Sequence, residues 1–202
     1  MRAEQAVPDS LQVTGGSSVT IAATRVDAVI ITASGCGTTI KDYGFMLRLD
    51  PVYAARATVI SAKAKDIVEF LSGIELPAAS QALRVTYHSA CSMQHGQNMG
   101  TKAQMLLRNA GFTVQDIPEG HLCCGSAGTY NIMQPEIATQ LRDRKIENIR
   151  STNPQVIATG NIGCITQLAT GMQTPILHTV ELLDWAYGGP KPDKIKHLKR
   201  GP

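Results

Sequence analysis

Apolar positions recur along this chain in two alternating registers: short unbroken runs, and longer stretches spaced for one face of a helix. Val26-Asp-Ala-Val-Ile-Ile-Thr32 is a β-branched run ending in Ala33-Ser-Gly-Cys-Gly37, which predicts a buried strand entering a tight turn, with Cys36 at the strand's carboxyl end. Between Pro51 and Leu71 the residues Ile60, Ala64, Ile67, Val68 and Leu71 share one helical face, and Gly73 and Pro77 close the helix. A second unit begins at Leu83. Val85-Thr-Tyr87 predicts a short strand leading into His88-Ser-Ala-Cys91, and Ala103, Leu106, Leu107 and Ala110 predict a helix over 99–110 stopped by Gly111. Residues 112–117 form the next predicted strand, Pro118-Glu-Gly120 a turn, and His121-Leu-Cys-Cys-Gly125 follows. Pro135 suits the first position of an amphipathic surface helix running to Arg150, with Ile137, Leu141, Ile146 and Ile149 as its apolar positions. Val156-Ile-Ala-Thr159 is a buried strand breaking at Gly160 and Gly163 into Cys164. Pro175-Ile-Leu-His178 and a helix over 180–187 complete the unit.

Strands alternating with helices at this spacing imply an α/β fold, a parallel sheet covered by helices. Such folds place ligands in loops at the carboxyl ends of strands. Cys36, Cys91 and Cys164 each follow a predicted strand, and Cys123-Cys124-Gly125 lies in a loop after another. The chain also echoes itself: residues 28–36 align with 156–164, and Asp66-Ile-Val-Glu-Phe70 resembles Glu181-Leu-Leu-Asp-Trp185. The N-terminal third is thus expected to be the back half of a repeat whose front half is absent. Four regions follow: a poorly ordered leader over 1–25, the repeat remnant over 26–78, a complete unit over 79–190 and a basic tail over 191–202.

Composition narrows the functions. Charged residues make up 17% and aromatics 4%, and the net charge is +3, too mild and scattered for a nucleic-acid surface. The basic residues between Lys191 and Arg200 are expected to be a solvated tail, with peripheral contact to an anionic membrane face as the competing reading. No apolar run approaches the roughly 18 residues a bilayer span requires. No paired acids, Ser-His-Asp order or phosphate-cradling loop is evident, so no separate catalytic residues are assigned.

The cysteines carry the chemistry. Neighbouring side chains diverge, so Cys123 and Cys124 suit a single tetrahedral ion poorly, whereas a cluster of several irons accepts both. Gly125 permits a backbone turn through positive φ and close approach to what the sulfurs hold. The chain has none of the short Cys-x2-4-Cys hairpins usual for structural zinc, and five cysteines without a leader for secretion argue against a disulfide framework and for the cytoplasm. Zinc, a vicinal redox dithiol, a lone nucleophile and inert buried thiols stay open as alternatives. Gly125, Ser126, Gly128, Thr129 and Gly163 offer backbone or hydroxyl donors to sulfur, or plain turn and cap chemistry. His88 and His121, near the candidate ligands, could bond to the metal group, carry a proton or satisfy a core hydrogen bond. His95, His178 and His197 have no neighbours that single them out.

The order Cys91, Cys123-Cys124-Gly125, Cys164, with a second such unit before it, resembles the cysteine-rich CCG domain of the heterodisulfide reductases and their relatives. The stretches His121-Leu-Cys-Cys-Gly-Ser-Ala-Gly-Thr-Tyr130, Gln140-Leu-Arg-Asp-Arg-Lys145, Asn161-Ile-Gly-Cys164 and Thr32-Ala-Ser-Gly-Cys-Gly37 look like the iron-sulfur subunits of glycolate oxidases, and the likeness runs from about Val26 to Tyr187. It implies an electron-transfer subunit working with flavin-bearing (FAD) subunits that oxidise glycolate to glyoxylate. It also implies an N-terminally truncated form, since the closely spaced cysteine runs of full-length relatives are missing. The fuller domain pattern ends Cys-x-x-Cys, but here Cys164-Ile-Thr-Gln167 leaves Cys91, Cys123, Cys124 and Cys164 as the set for a [4Fe-4S] cluster. Cys36 is the remaining candidate ligand, from the remnant repeat, and Gly125, Ser126 and Gly163 are the expected cluster-binding neighbours.

Overall fold

The computed structural model describes residues 11–13, 19–21, 26–77, 79 and 81–198. Within the predicted leader, β1 (Leu11–Val13) and β2 (Val19–Ile21) pair antiparallel. The rest of that leader lies outside the described residues, as do residues 199–202 of the predicted tail.

The complete unit is built on four parallel strands in the order β6-β5-β7-β8: β5 (Arg84–Tyr87), β6 (Thr113–Asp116), β7 (Val156–Thr159) and β8 (Ile176–His178). Every residue of β7 is buried, whereas edge strand β6 is mostly exposed, as expected for central and edge positions of a helix-covered sheet. The helices are α4 (Lys102–Asn109), α5 (Tyr130–Met133), α6 (Pro135–Ser151), α7 (Ile162–Ala169) and α8 (Thr179–Ala186). Leu107, Ile149, Ile157, Leu168 and Leu182 are fully buried in one core between sheet and helices. Pro135 opens α6 as predicted, but the buried face of that helix is Ala138, Lys145, Ile146 and Ile149. Ile137 is 49% exposed, because the helix is rotated to turn a lysine inward.

The N-terminal piece is a two-stranded parallel sheet, β3 (Val29–Ile31) with β4 (Ala64–Asp66), covered by α1 (Ser34–Met46), α2 (Ala54–Lys63) and α3 (Ile67–Leu71). Two expectations need correction. Cys36 sits in the first turn of α1, not in a tight turn, because the run after Gly37 is long enough to continue as a helix. The single predicted helix over 51–71 is broken by β4, because Ala64 and Asp66 are buried against β3 and the chain must extend to pair there. Alanine-rich sequence hides this strand from periodicity.

The internal echo is structural. Ile31 pairs with Asp66, and Thr159 pairs with His178. Each partner then caps the next helix: Asp66 accepts from Val68 N–H and His178 from Val180 N–H. The matching stretches are therefore Asp66-Ile-Val-Glu69 and His178-Thr-Val-Glu181, three residues away from the register that sequence similarity suggests. His178 also bridges the two pieces. Its Nε2 donates to Thr32 O at 2.7 Å while Nδ1 accepts the capping bond, which fixes the tautomer. The predicted solvated tail is corrected too: Ile195 is fully buried in the core and Lys194 Nζ donates to Ile176 O. No helix among the described residues is long and apolar enough to cross a membrane.

Burial holds the Asp66 carboxyl above its ordinary value of 3.8, outweighing the Val68 N–H bond and the nearby His178 and Lys41. The folded state therefore binds this proton more tightly than the unfolded one, and stability falls as pH rises from 3.8 through the folded value. Asp66→Asn, which keeps the acceptor for Val68 N–H, is expected to be more stable than the parent at pH 7. It should lose that advantage below pH 3.8, as urea unfolding at the two pH values would measure.

Candidate metal centre

The loops leaving β5, β6 and β7 converge. Cys91 precedes a π-helical turn, Ser92–Gly96, after β5; Cys123 and Cys124 lie in the loop between β6 and α5; Cys164 stands in the first turn of α7. All four line one cavity of about 180 Å³ together with Gly35, Ser92, Ser126, Gly128 and Asn161. Cys124 Sγ lies 3.2 Å from Cys164 Sγ, and Cys91 and Cys123 perturb one another's pKa.

Two neighbouring cysteines reach the same space because the chain turns sharply behind them. Gly125 has φ +87°, and its N–H donates back to Cys123 Sγ at 3.3 Å. A Cβ at Gly125 would stand 2.3 Å from Ala138 O, so α6 seals the back of this turn. Gly163 serves closeness rather than turning: a Cβ there would lie 2.8 Å from Ser126 Oγ and 3.0 Å from Asn161 Oδ1. Ser126 is buried on the cavity wall. Thr129 is exposed and away from the lining.

Hydrogen bonding sorts the thiols. Cys123 accepts from Cys124 and Cys91, and these bonds hold it far below its usual range, at about 2. Cys164 accepts from Cys124, with His88 beside it, and is lowered to about 5. The donors move the other way: its bond to Cys123, then burial, raises Cys91, and its bonds to Cys123 and Cys164 raise Cys124. These bonds thus favour the deprotonated form of Cys123 and Cys164 and the protonated form of Cys91 and Cys124.

His88 is buried at 1% exposure, and neither ring nitrogen has a hydrogen-bond partner. A ring nitrogen lies within 4.8 Å of the sulfurs of both Cys124 and Cys164. It does not line the cavity and sits behind those two residues. His121 is exposed at the rim of a different cavity with Tyr87, His95 and Asp116.

Cys36 is not brought to this centre. It is exposed, although its neighbours Ser34 and Gly35 reach the site. Ser34, fully buried, is a junction: its Oγ meets Ser92 Oγ at 2.7 Å and accepts from Asn161 Nδ2 at 2.9 Å, while its N–H donates to Gly160 O. Asn161 in turn accepts from Cys164 N–H through Oδ1 at 3.2 Å. The N-terminal piece thereby braces the turns that carry Cys91 and Cys164, and the amino ends of α1 and α7 both face the cavity, where their dipoles favour negative charge.

One residue of the site escapes a reading of the sequence. Lys145 is completely buried, its ammonium donating to Glu119 O at 2.9 Å and Gly120 O at 3.4 Å. Hydrogen bonds to a charged group are worth about 1.5–3 kcal/mol each, while burying an ammonium costs several kcal/mol, so two neutral carbonyls do not offset it comfortably. Burial lowers its pKa, and the neighbouring Cys91, Cys124 and Cys123 oppose this more than Glu119 does. Its place between Arg144 and the apolar Ile146 is the available signal, because the following isoleucine is buried on the same turn.

The cysteine-rich (CCG) domain family matches residues 85–169. The glycolate oxidase iron-sulfur subunit of Escherichia coli K12 is 42% identical over 164 residues, covering 79% of this chain and 40% of that protein. A probable glycolate oxidase iron-sulfur subunit of Bacillus subtilis is 31% identical, covering 73% and 34%. Lactate utilization protein A of Geobacillus thermodenitrificans is 27% identical over 78% of this chain and 70% of its own length. The chain thus carries a CCG cysteine-rich domain and spans less than half the length of the two glycolate oxidase subunits it matches.

Gly125→Ala combines positive φ with a clash against the α6 backbone. It is expected to cost at least about 2 kcal/mol, read as a lowered thermal midpoint, and to abolish metal uptake.

Proposed function

We propose that this CCG-domain protein is an electron-transferring iron-sulfur subunit of an assembly that oxidises a 2-hydroxy acid, with glycolate, the substrate in the name of the 42%-identical relative, as the first candidate. The observation that carries this reading is the convergence of Cys91, Cys123, Cys124 and Cys164 on one cavity in a chain 42% identical to a glycolate oxidase iron-sulfur subunit. The donor set fits a [4Fe-4S] cluster: four sulfurs, an amide N–H on Cys123 Sγ, and helix amino ends facing an anionic centre. When bound, such a cluster supplies a one-electron store whose potential follows charge, hydrogen bonding to sulfur and exposure. Gly125 and Gly163 let the backbone close around the sulfurs, Ser126 walls the cavity, and Asn161 fixes the turn carrying Cys164. Cys36, exposed on α1, is assigned no ligand role.

The alcohol itself reacts elsewhere, at a flavin (FAD) on a partner subunit that forms glyoxylate and delivers electrons to this chain. The relative named for lactate utilization makes 2-hydroxy acids the class and leaves glycolate as the favoured member. Ile132, Met133 and Ile162 are exposed on α5 and α7, next to cavity-lining residues, and offer a partner an apolar face beside the centre. Five free cysteines support a reducing, cytoplasmic setting.

A second reading is a zinc-stabilised docking module without redox activity, favoured by the mutual approach of His88, Cys124 and Cys164 within 4.8 Å. Anaerobic reconstitution separates the two. Broad visible absorbance with about four irons per chain is expected, persisting in Cys36→Ser and lost in Cys91→Ser and Cys164→Ser. A colourless protein holding one zinc would establish the second reading instead.

A further inference from the structure

We propose that Lys145 is the built-in countercharge of the metal centre, a buried ammonium that offsets the negative charge gathered on the four sulfurs and so makes the centre easier to reduce. This rests on the iron-sulfur reading above. The arginines around it, Arg144 and Arg150, point outward to exposed partners, while Lys145 alone on that helix turns its charge inward and is completely buried. The neighbouring acid does not neutralise it: the Glu119 carboxylate is engaged by Arg144 and Asn148, and Lys145 contacts only the Glu119 and Gly120 carbonyls. Those carbonyls belong to the segment running directly into Cys123, so the ammonium is pinned against the loop that carries the paired thiols. Cys91, Cys124 and Cys123 support its charged form more than Glu119 does.

A centre held by four thiolates is net anionic, and reduction adds another negative charge. A cation that cannot retreat into water favours the reduced form at every turnover, with little screening by salt. The competing role is a structural tie between α6 and the loop. Two substitutions separate them, because Lys145→Gln keeps an N–H donor for the carbonyls and loses the charge, while Lys145→Met loses both.

The test uses the full chain reconstituted anaerobically, its reduction followed by electron paramagnetic resonance during a redox titration at fixed pH. Both variants are expected to shift the midpoint potential downward by similar amounts, while the thermal midpoint of the metal-free protein does not fall. An unchanged potential in Lys145→Gln, or a shift in Lys145→Met alone, overturns the proposal, as does collapse of the metal-free fold in both variants. If the parent takes up zinc and no iron-sulfur cluster, the functional reading fails separately. The countercharge is then tested with zinc alone: an affinity lowered about tenfold in both variants sustains it, and equal affinity overturns it.

Discussion

The pairing of β5 with β7 governs what this protein can do. These strands are far apart in sequence yet lie side by side in parallel, with Tyr87 opposite Ala158, and the ladder extends one step further through His88 N–H to Ala158 O at 2.8 Å. Parallel pairing brings both carboxyl ends to the same edge of the sheet. The loops that begin there deliver Cys91 and Cys164 to the same place. Edge strand β6, paired to the other side of β5, starts the chain toward Cys123 and Cys124. Four sulfurs contributed by three loops meet because one sheet edge organises all three.

That edge is held from outside as well as from within. Ser34, at the start of the N-terminal helix, touches the residue after Cys91 and the residue that caps the turn of Cys164. His178 ties Thr32 to the cap of α8. The N-terminal half-repeat is therefore a clamp on the ligand loops, and its contribution to the centre is geometric. A shift in this clamp would alter the separation of Cys91 from Cys164 without touching either one, because its contacts fall on Ser92 beside Cys91 and on Asn161, which caps the turn of Cys164.

Much of this is legible in the residue pattern, for definite reasons. The strands β5 and β7 are β-branched runs bounded by glycine or by turn residues, and the helices α4, α6 and α8 show a 3.6-residue period. What escapes has the wrong composition for its role. Ala64-Lys-Asp66 is a strand only because β3 offers it a ladder, and tertiary pairing overrides its weak propensity. The register of the repeat is ambiguous in sequence because identical hydrophobic letters recur three residues apart in a helix, whereas the cap positions Asp66 and His178 fix it. Lys145 looks like one more charge on a solvated helix. The convergence of the cysteines is legible because strand carboxyl ends share an edge; that His88 lies behind two of them is not, since its burial depends on how three loops pack.

The fate of Cys36 shows what brings the other cysteines together. It occupies the third position of α1 just as Cys164 occupies the third position of α7, each after a parallel strand. The two places share the order of strand and helix, although Asn161 caps α7 with its side chain and Ala33 offers α1 no such cap. Yet Cys164 has three sulfurs around its cavity and Cys36 faces solvent. The difference lies in the neighbours: β7 has β5 beside it with the loop of Cys91, while among the described residues β3 pairs only with β4. A strand followed by a helix can aim one thiolate, but one thiolate binds a metal weakly and is exposed to oxidation. Bringing several thiolates together requires neighbouring strands whose loops open onto the same cavity, and among the described residues only the second unit does this.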